Sequence, residues 1–196
     1  MRKTGQLALI LTIANQFCGI NVIIFYANQL FTEISEGDTS YAVRMSFYMG
    51  LFQILITFIS AIVVDKFGRR SLILIGEILI IFALLGGFYM LDYDAASKWD
   101  PNYATYAIFL HIAGFSISLG PITFIYISEI LDDISPYMVI IWIETVLVAM
   151  GSNLLVAKYG VGRVFLGFGI ISIICLCYFF PTLLETKGKT RNQIHH

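Results

Sequence analysis

Charge is scarce in this chain. Asp, Glu, Lys and Arg make up 13% of the 196 residues, against about 25% in an ordinary soluble domain. With 58% hydrophobic residues and long uncharged runs, that deficit excludes a large soluble core and points to an integral membrane protein. The runs show no period-2 alternation and are too long for transmembrane strands, so helices are expected. The net charge of −1 leaves no basic patch for nucleic acid. Cysteine is sparse: Cys18, Cys175 and Cys177 are odd in number, sit in apolar runs and lack metal-ligand spacing, so they read as small buried hydrophobes. Neither a metal nor a cofactor is expected. No Ser/His/Asp set, HExxH, P-loop or paired-carboxylate motif is found, which removes the footing for an enzyme. His111 stands alone in an apolar run and reads as a packing or hydrogen-bonding residue. The first apolar stretch has no small-residue cleavage site and is too long for a signal peptide, so it reads as a span.

What the sequence does hold is six apolar spans, at about 7–31, 44–64, 71–91, 104–128, 137–157 and 161–181. Each approaches or exceeds the ~20 residues needed to cross a bilayer. The expected fold is an all-α, six-helix membrane domain with a polar tail over 185–196. Six spans put both termini on one side. On that side lie Arg2, Lys3, Lys66, Arg69, Arg70, Lys187, Lys189 and Arg191, against Arg44, Lys98, Lys158 and Arg163 on the other. The positive-inside rule then makes the terminal side cytoplasmic.

Polar side chains punctuate the spans. From the helical rise, Asn15, Gln16 and Asn21 lie about 12–21 Å beyond Leu7, Gln53 about 18 Å before Asp65, and Ser116 about 20 Å before Glu129. Asn153 lies about 24 Å past Tyr137. Such amides either hydrogen-bond neighbouring helices or line a central cavity. At 100° per residue, Asn15, Gln16 and Asn21 spread beyond one narrow stripe. A helix broken near Gly19, with unwound backbone facing a cavity, reconciles them; the alternative is a straight helix packed closely at Gly19. Glu77 and Glu144 are carboxylates inside spans, where a charge is costly, and are candidates for pairing or proton coupling.

Four motifs, in order and separated by spans, carry a resemblance. "NQFCGINVIIFYANQLF" is similar to the QQLSGIN-plus-aromatics seventh helix of the sugar porters, a family of the major facilitator superfamily. "DKFGRRS" resembles that family's D-[RK]-x-G-R-R loop, "LGPITFIYISE" its GPIPWxxxxE helix, and "LLETKGKT" its PETKG signature. The chain thus resembles the C-terminal six-helix half of a sugar porter, which implies half of a major facilitator fold.

The resemblance implies roles. Gln16 and Asn21, with Asn15 beside them, would bind sugar hydroxyls. Gln53, Phe124 and Asn153 would complete the sugar contacts, and Phe25 and Tyr26 would form an outer gate. Asp65, Arg69, Arg70, Glu129 and Glu185 would form a cytoplasmic charge cluster that latches one conformation. The implied partners are a small-molecule sugar, the lipid bilayer, and either a second six-helix half or a copy of this one. The alternative is a non-transporting membrane sensor, a partner-binding remnant or an incomplete fragment. The chain departs from the pattern at Ala61, Ser116, Thr123 and Leu184, and Asp132 and Asp133 stand near where an Arg is usual.

Overall fold

Two of the membrane-length helices are broken, and the breaks organise the molecule. The computed structural model describes residues 2–91, 102–189 and 193. The connection at 92–101 and the charges Lys98 and Arg191 lie outside the described residues. Among those described, six stretches are long and apolar enough to cross a membrane: Thr4–Phe25, Thr39–Phe67, Arg69–Leu91, Tyr103–Ile130, Ser135–Tyr159 and Val161–Thr182. The first comprises α1 (Arg2–Phe17) and α2 (Ile20–Phe25), followed by the short α3 (Ala27–Ile34). The second and third are α4 (Thr39–Phe67) and α5 (Arg69–Leu91). The fourth divides into α6 (Asn102–Ile117) and α7 (Leu119–Ile130), and the last two are α8 (Ser135–Tyr159) and α9 (Val161–Thr182).

Local chemistry sets the helix ends. Asp38 caps α4 by accepting from Ser40 N at 2.9 Å and Tyr41 N at 3.0 Å, satisfying two of the donors every helix start leaves free. One residue, Gly68, joins α4 to α5 with φ +84° and ψ 163°, a region essentially reserved for glycine. Ahead of α8, Ser135 N donates to Asp133 at 2.9 Å. That bond holds the Asp133 carboxyl below the usual carboxylate range, because it favours the ionised form.

At the first break Gly19 adopts φ +82°. Val22 N bonds to Gly19 O at 3.1 Å, so the Cys18 carbonyl drops out of the helical ladder. The His111 ring supplies what the ladder lost, with Nε2 2.8 Å from Cys18 O. A carbonyl only accepts, so Nε2 carries the proton. The Cys18 thiol donates to Asn15 O at 3.2 Å. At the second break Pro121 has no N–H to give Ile117 O, and Ser60 Oγ donates there instead at 2.9 Å. Asn15 Nδ2 donates to Leu119 O at 2.7 Å. The broken spans therefore stitch each other: Asn15 from the first serves the fourth, and His111 from the fourth serves the first. In hydrocarbon, where water cannot replace a partner, each unsatisfied group costs several kcal/mol.

Gly19 is required twice over. A side chain there is strained at positive φ, and an added Cβ would sit 2.8 Å from Phe168 Cδ2. Gly19→Ala is expected to destabilise the fold by about 2 kcal/mol or more, from backbone strain plus overpacking. Thermal unfolding in detergent checks this; an unchanged midpoint would contradict it.

The first span is the most buried, with 67% of its apolar window inside the molecule, and α1 packs against α7, α8 and α9. On another side α5 lies between α6 and α9. The least buried spans are α4 and α8, at 17% and 22%. Their open faces carry Phe58 and Ile62, and Trp142 and Leu154.

Candidate functional site

Between α2, α4, α7 and α8 lies an open concavity of about 510 Å³, within the range of small-molecule sites. One wall is the first span, with Asn15, Gln16, Asn21 and Phe25. The others are Gln53 and Thr57 of α4, Phe115, Ser116 and Phe124 of the fourth span, and Trp142 and Thr145 of α8. Every polar side chain among these is uncharged, and four aromatic rings share the surface. Phe124 is exposed to the concavity rather than packed away.

The amides form a directed relay. Asn15 spends one N–H on Leu119 O, and its Oδ1 accepts from Gln16 Nε2 at 2.8 Å. Gln16 Oε1 in turn accepts from Asn21 Nδ2 at 2.5 Å. The Thr145 hydroxyl lies 2.9 Å from Gln16 Oε1 and 2.8 Å from Ile141 O, and its one proton can serve only one of them at a time. The relay leaves the Asn21 carbonyl oxygen and the second N–H of each amide for a ligand. Ser116 Oγ is buried and has no partner while its residue lines the concavity.

Gln16, Asn21, Gln53 and Phe124 converge on one surface. Asn15 borders it, but a large part of its bonding capacity is committed to Leu119 and Gln16. Asn153 does not line the concavity and lies exposed on α8. It stands eight residues beyond Thr145, about 12 Å further along the helix, past the stretch of α8 that reaches the concavity. The signal that α8 reaches the site through Trp142 and Thr145 was their i, i+3 spacing beside one another on a helix. Phe25 lines the concavity, whereas Tyr26 turns away from it, its hydroxyl 3.4 Å from Ala149 O.

The charged residues gather at one end of the bundle. Arg69 Nε donates to Glu129 at 3.1 Å and Nη2 pairs with the same carboxylate at 3.0 Å. Nη1 of Arg69 reaches Asp65 at 3.3 Å. Glu185 caps the start of α5, accepting from Arg69 N at 2.9 Å and Arg70 N at 3.2 Å, where the helix dipole favours an anion. Arg70 itself donates to Phe180 O at 2.9 Å. Two residues unforeseen from the sequence complete the cluster. Thr186 donates to Glu129. The Tyr126 hydroxyl donates to Leu184 O at 2.9 Å and accepts from Leu184 N at 3.0 Å. A proline at 184 has no N–H, so this second bond depends on the leucine that replaces it.

The comparisons agree with this architecture. Six spans align with the proton:xylose symporter XylE bound to 6-bromo-6-deoxy-D-glucose, a major facilitator superfamily structure, at TM-score 0.82 and 24% identity. The match covers 96% of this chain and 41% of that one. The inward-open xylose transporter XylE from E. coli superposes at 0.83 with 21% identity, over 100% of this chain and 42% of its own. The chain thus has the fold of one half of a major facilitator. Among sequence relatives, the D-xylose-proton symporter-like 2 of Arabidopsis thaliana is 29% identical over 192 residues. The facilitated trehalose transporter Tret1-2 homolog of Drosophila simulans is 28% identical over 201. This chain is matched over 94% and 98% of its length, but spans only 37% and 41% of theirs. The family model described as sugar (and other) transporter matches residues 1–196, and the chain belongs to that family.

Proposed function

We propose that this chain acts as the C-terminal half of a transporter that carries a neutral sugar, hexose-like or polyol, across a membrane by alternating access. The observation that carries the reading is the concavity: amides, hydroxyls and aromatic rings line it, and no charged side chain does. A polyol needs several donors and acceptors without net charge, and an amide offers both. An aromatic face covers the apolar face of a sugar ring. In this reading Gln16 and Asn21 bind hydroxyls, with Gln53 and Ser116 opposite them and Asn15 holding Gln16 in place. Phe124 and Trp142 flank the ring, and Phe25 closes the outer end. The Arg69–Glu129–Glu185 cluster latches one state, since breaking and remaking charge pairs on one face gates access.

Both termini are assigned to the cytoplasm by the excess of Lys and Arg on their side. The least buried spans, α4 and α8, flank the concavity, and a second six-helix half would close the site there. The test is uptake of D-glucose and D-xylose by the complete transporter in proteoliposomes; failure to carry either sugar or any competing polyol would overturn the reading. Trp142→Ala is expected to raise KM about tenfold, the loss of one stacking face worth roughly 1.4 kcal/mol, while the thermal midpoint stays put because the indole is 69% exposed. An unchanged KM would remove Trp142 from the site.

A further inference from the structure

One buried acid lies outside the concavity, yet the next residue in the chain, Thr145, lines it. Glu144 lies on α8 and is 8% exposed. Its Oε2 has no hydrogen-bond partner. Its Oε1 lies 3.4 Å from Thr12 Oγ1, but the single Thr12 proton is taken by Leu9 O at 2.8 Å. An ionised Glu144 would therefore have this one hydroxyl as its donor, and only by drawing it from Leu9 O.

No cation among the described side chains compensates. Among the described side chains, α1 carries no charged or titratable group over Thr4–Phe17, and α2 carries none. On α9 the titratable residues are Arg163, Cys175, Cys177 and Tyr178, and none of them acts electrostatically on Glu144. On α8 itself, Tyr137 is engaged toward Gly5 O at 3.4 Å, and Lys158 stands near the other end over the Tyr159 ring. A carboxylate in this apolar seam with one contested hydroxyl, one unpartnered oxygen and no described cation is far costlier than the neutral acid. We propose that Glu144 is a proton-binding site that links sugar transport to protons: its carboxylate takes a proton from water on one side and releases it to water on the other.

The route to the sugar is short. Glu144 precedes Thr145, whose hydroxyl reaches Gln16 Oε1 at 2.9 Å. Thr12 sits one turn before Gln16 on α1, at i and i+4. Loading or emptying the acid thus acts beside Thr145, which reaches the Gln16 amide, and on Thr12, one turn before Gln16 on α1. When the proton leaves, Glu144 recruits the Thr12 hydroxyl from Leu9 O, and the seam between α1 and α8 shifts at the sugar's own side chain. Glu144 lies nine residues past Ser135, about 14 Å from the start of α8, so the proton's path from that end of the bundle is short.

This inference rests on the sugar-transport reading, and the experiment keeps the two apart. In the complete transporter in lipid, infrared difference spectra between about pH 5 and pH 8 report the carbonyl band of a protonated carboxylic acid without any sugar. The band is expected in the wild type and lost in part in Glu144→Gln. In proteoliposomes, wild-type affinity for D-glucose or D-xylose in counterflow is expected to change several-fold over the same range. Glu144→Gln should flatten that profile, and Glu144→Asp should restore a shifted one. A Glu144→Gln band as strong as wild type overturns the proton site. A lost band with an unchanged pH profile overturns the coupling. Should the wild type carry neither sugar, the transport reading falls while the infrared band still decides the proton site.

Discussion

Replacing Gln16 with Ala in the complete transporter is expected to lower kcat/KM for sugar uptake about 100-fold. Gln16 is the hub of the relay: it donates to Asn15, accepts from Asn21, and lies within reach of the Thr145 hydroxyl. Its removal takes away direct ligand contacts and also frees Asn21 to reorient. Leaving buried polar groups without partners costs about 1–3 kcal/mol, and roughly 2.7 kcal/mol corresponds to the stated factor. Most of the loss should fall on KM if the amide contributes equally to ground and transition states. Gln16→Glu separates shape from charge, because it keeps the acceptor but cannot donate to Asn15 when ionised. Gln16→Ala uptake within a factor of two of wild type would contradict the assigned role.

The second large effect is expected at the charge cluster. Arg69→Ala should destabilise the folded chain by about 2–3 kcal/mol and slow or uncouple the transport cycle. The Arg69 side chain is 14% exposed and that of Glu129 27%, so this pair is shielded enough to matter. Its loss would strip Glu129 of the Arg69 guanidinium that meets it through two nitrogens. Breaking a fully buried pair costs about 3–5 kcal/mol, and partial exposure lowers that figure. The Asp65 contact adds little, because Asp65 is 77% exposed and such pairs contribute about 0–1 kcal/mol. Asp65→Ala is therefore the control that should leave the thermal midpoint nearly unchanged. Equal midpoints for Arg69→Ala and wild type in lipid-detergent mixtures would contradict the assignment.

The sequence made some of this legible for physical reasons. Long uncharged runs have one stable destination, so the six-helix membrane fold follows from composition alone. The break at Gly19 was readable because Asn15, Gln16 and Asn21 fit no single stripe, and Gly19 sat between them. The charge cluster around Arg69 was implied by the family resemblance alone, since a short charged turn at 65–70 fits a solvated loop equally well. The role of Asn15 was not legible: nothing in one span tells that its amide serves a carbonyl 104 residues away. The position of Asn153 outside the concavity was not legible, because the apolar residues of α8 fall all round the helix and periodicity could not set its register. Trp142 and Thr145 escaped notice for the same reason. The Tyr126 hydroxyl needed Leu184 folded beneath it before its two bonds could be seen.

The mutual stitching of the two breaks carries a consequence for biogenesis. The donor that completes Cys18 lies 93 residues downstream, and Asn15 waits 104 residues for the carbonyl it serves. A chain emerging from its N-terminal end must therefore insert its first span with a helix break that nothing yet satisfies. Contacts of such long sequence separation form late. Until the fourth span arrives, the first is an unfinished part with exposed backbone in hydrocarbon, and quality-control machinery would meet it in that state. The joint that shapes one wall of the concavity is thus also the step at which these six spans become one folded unit.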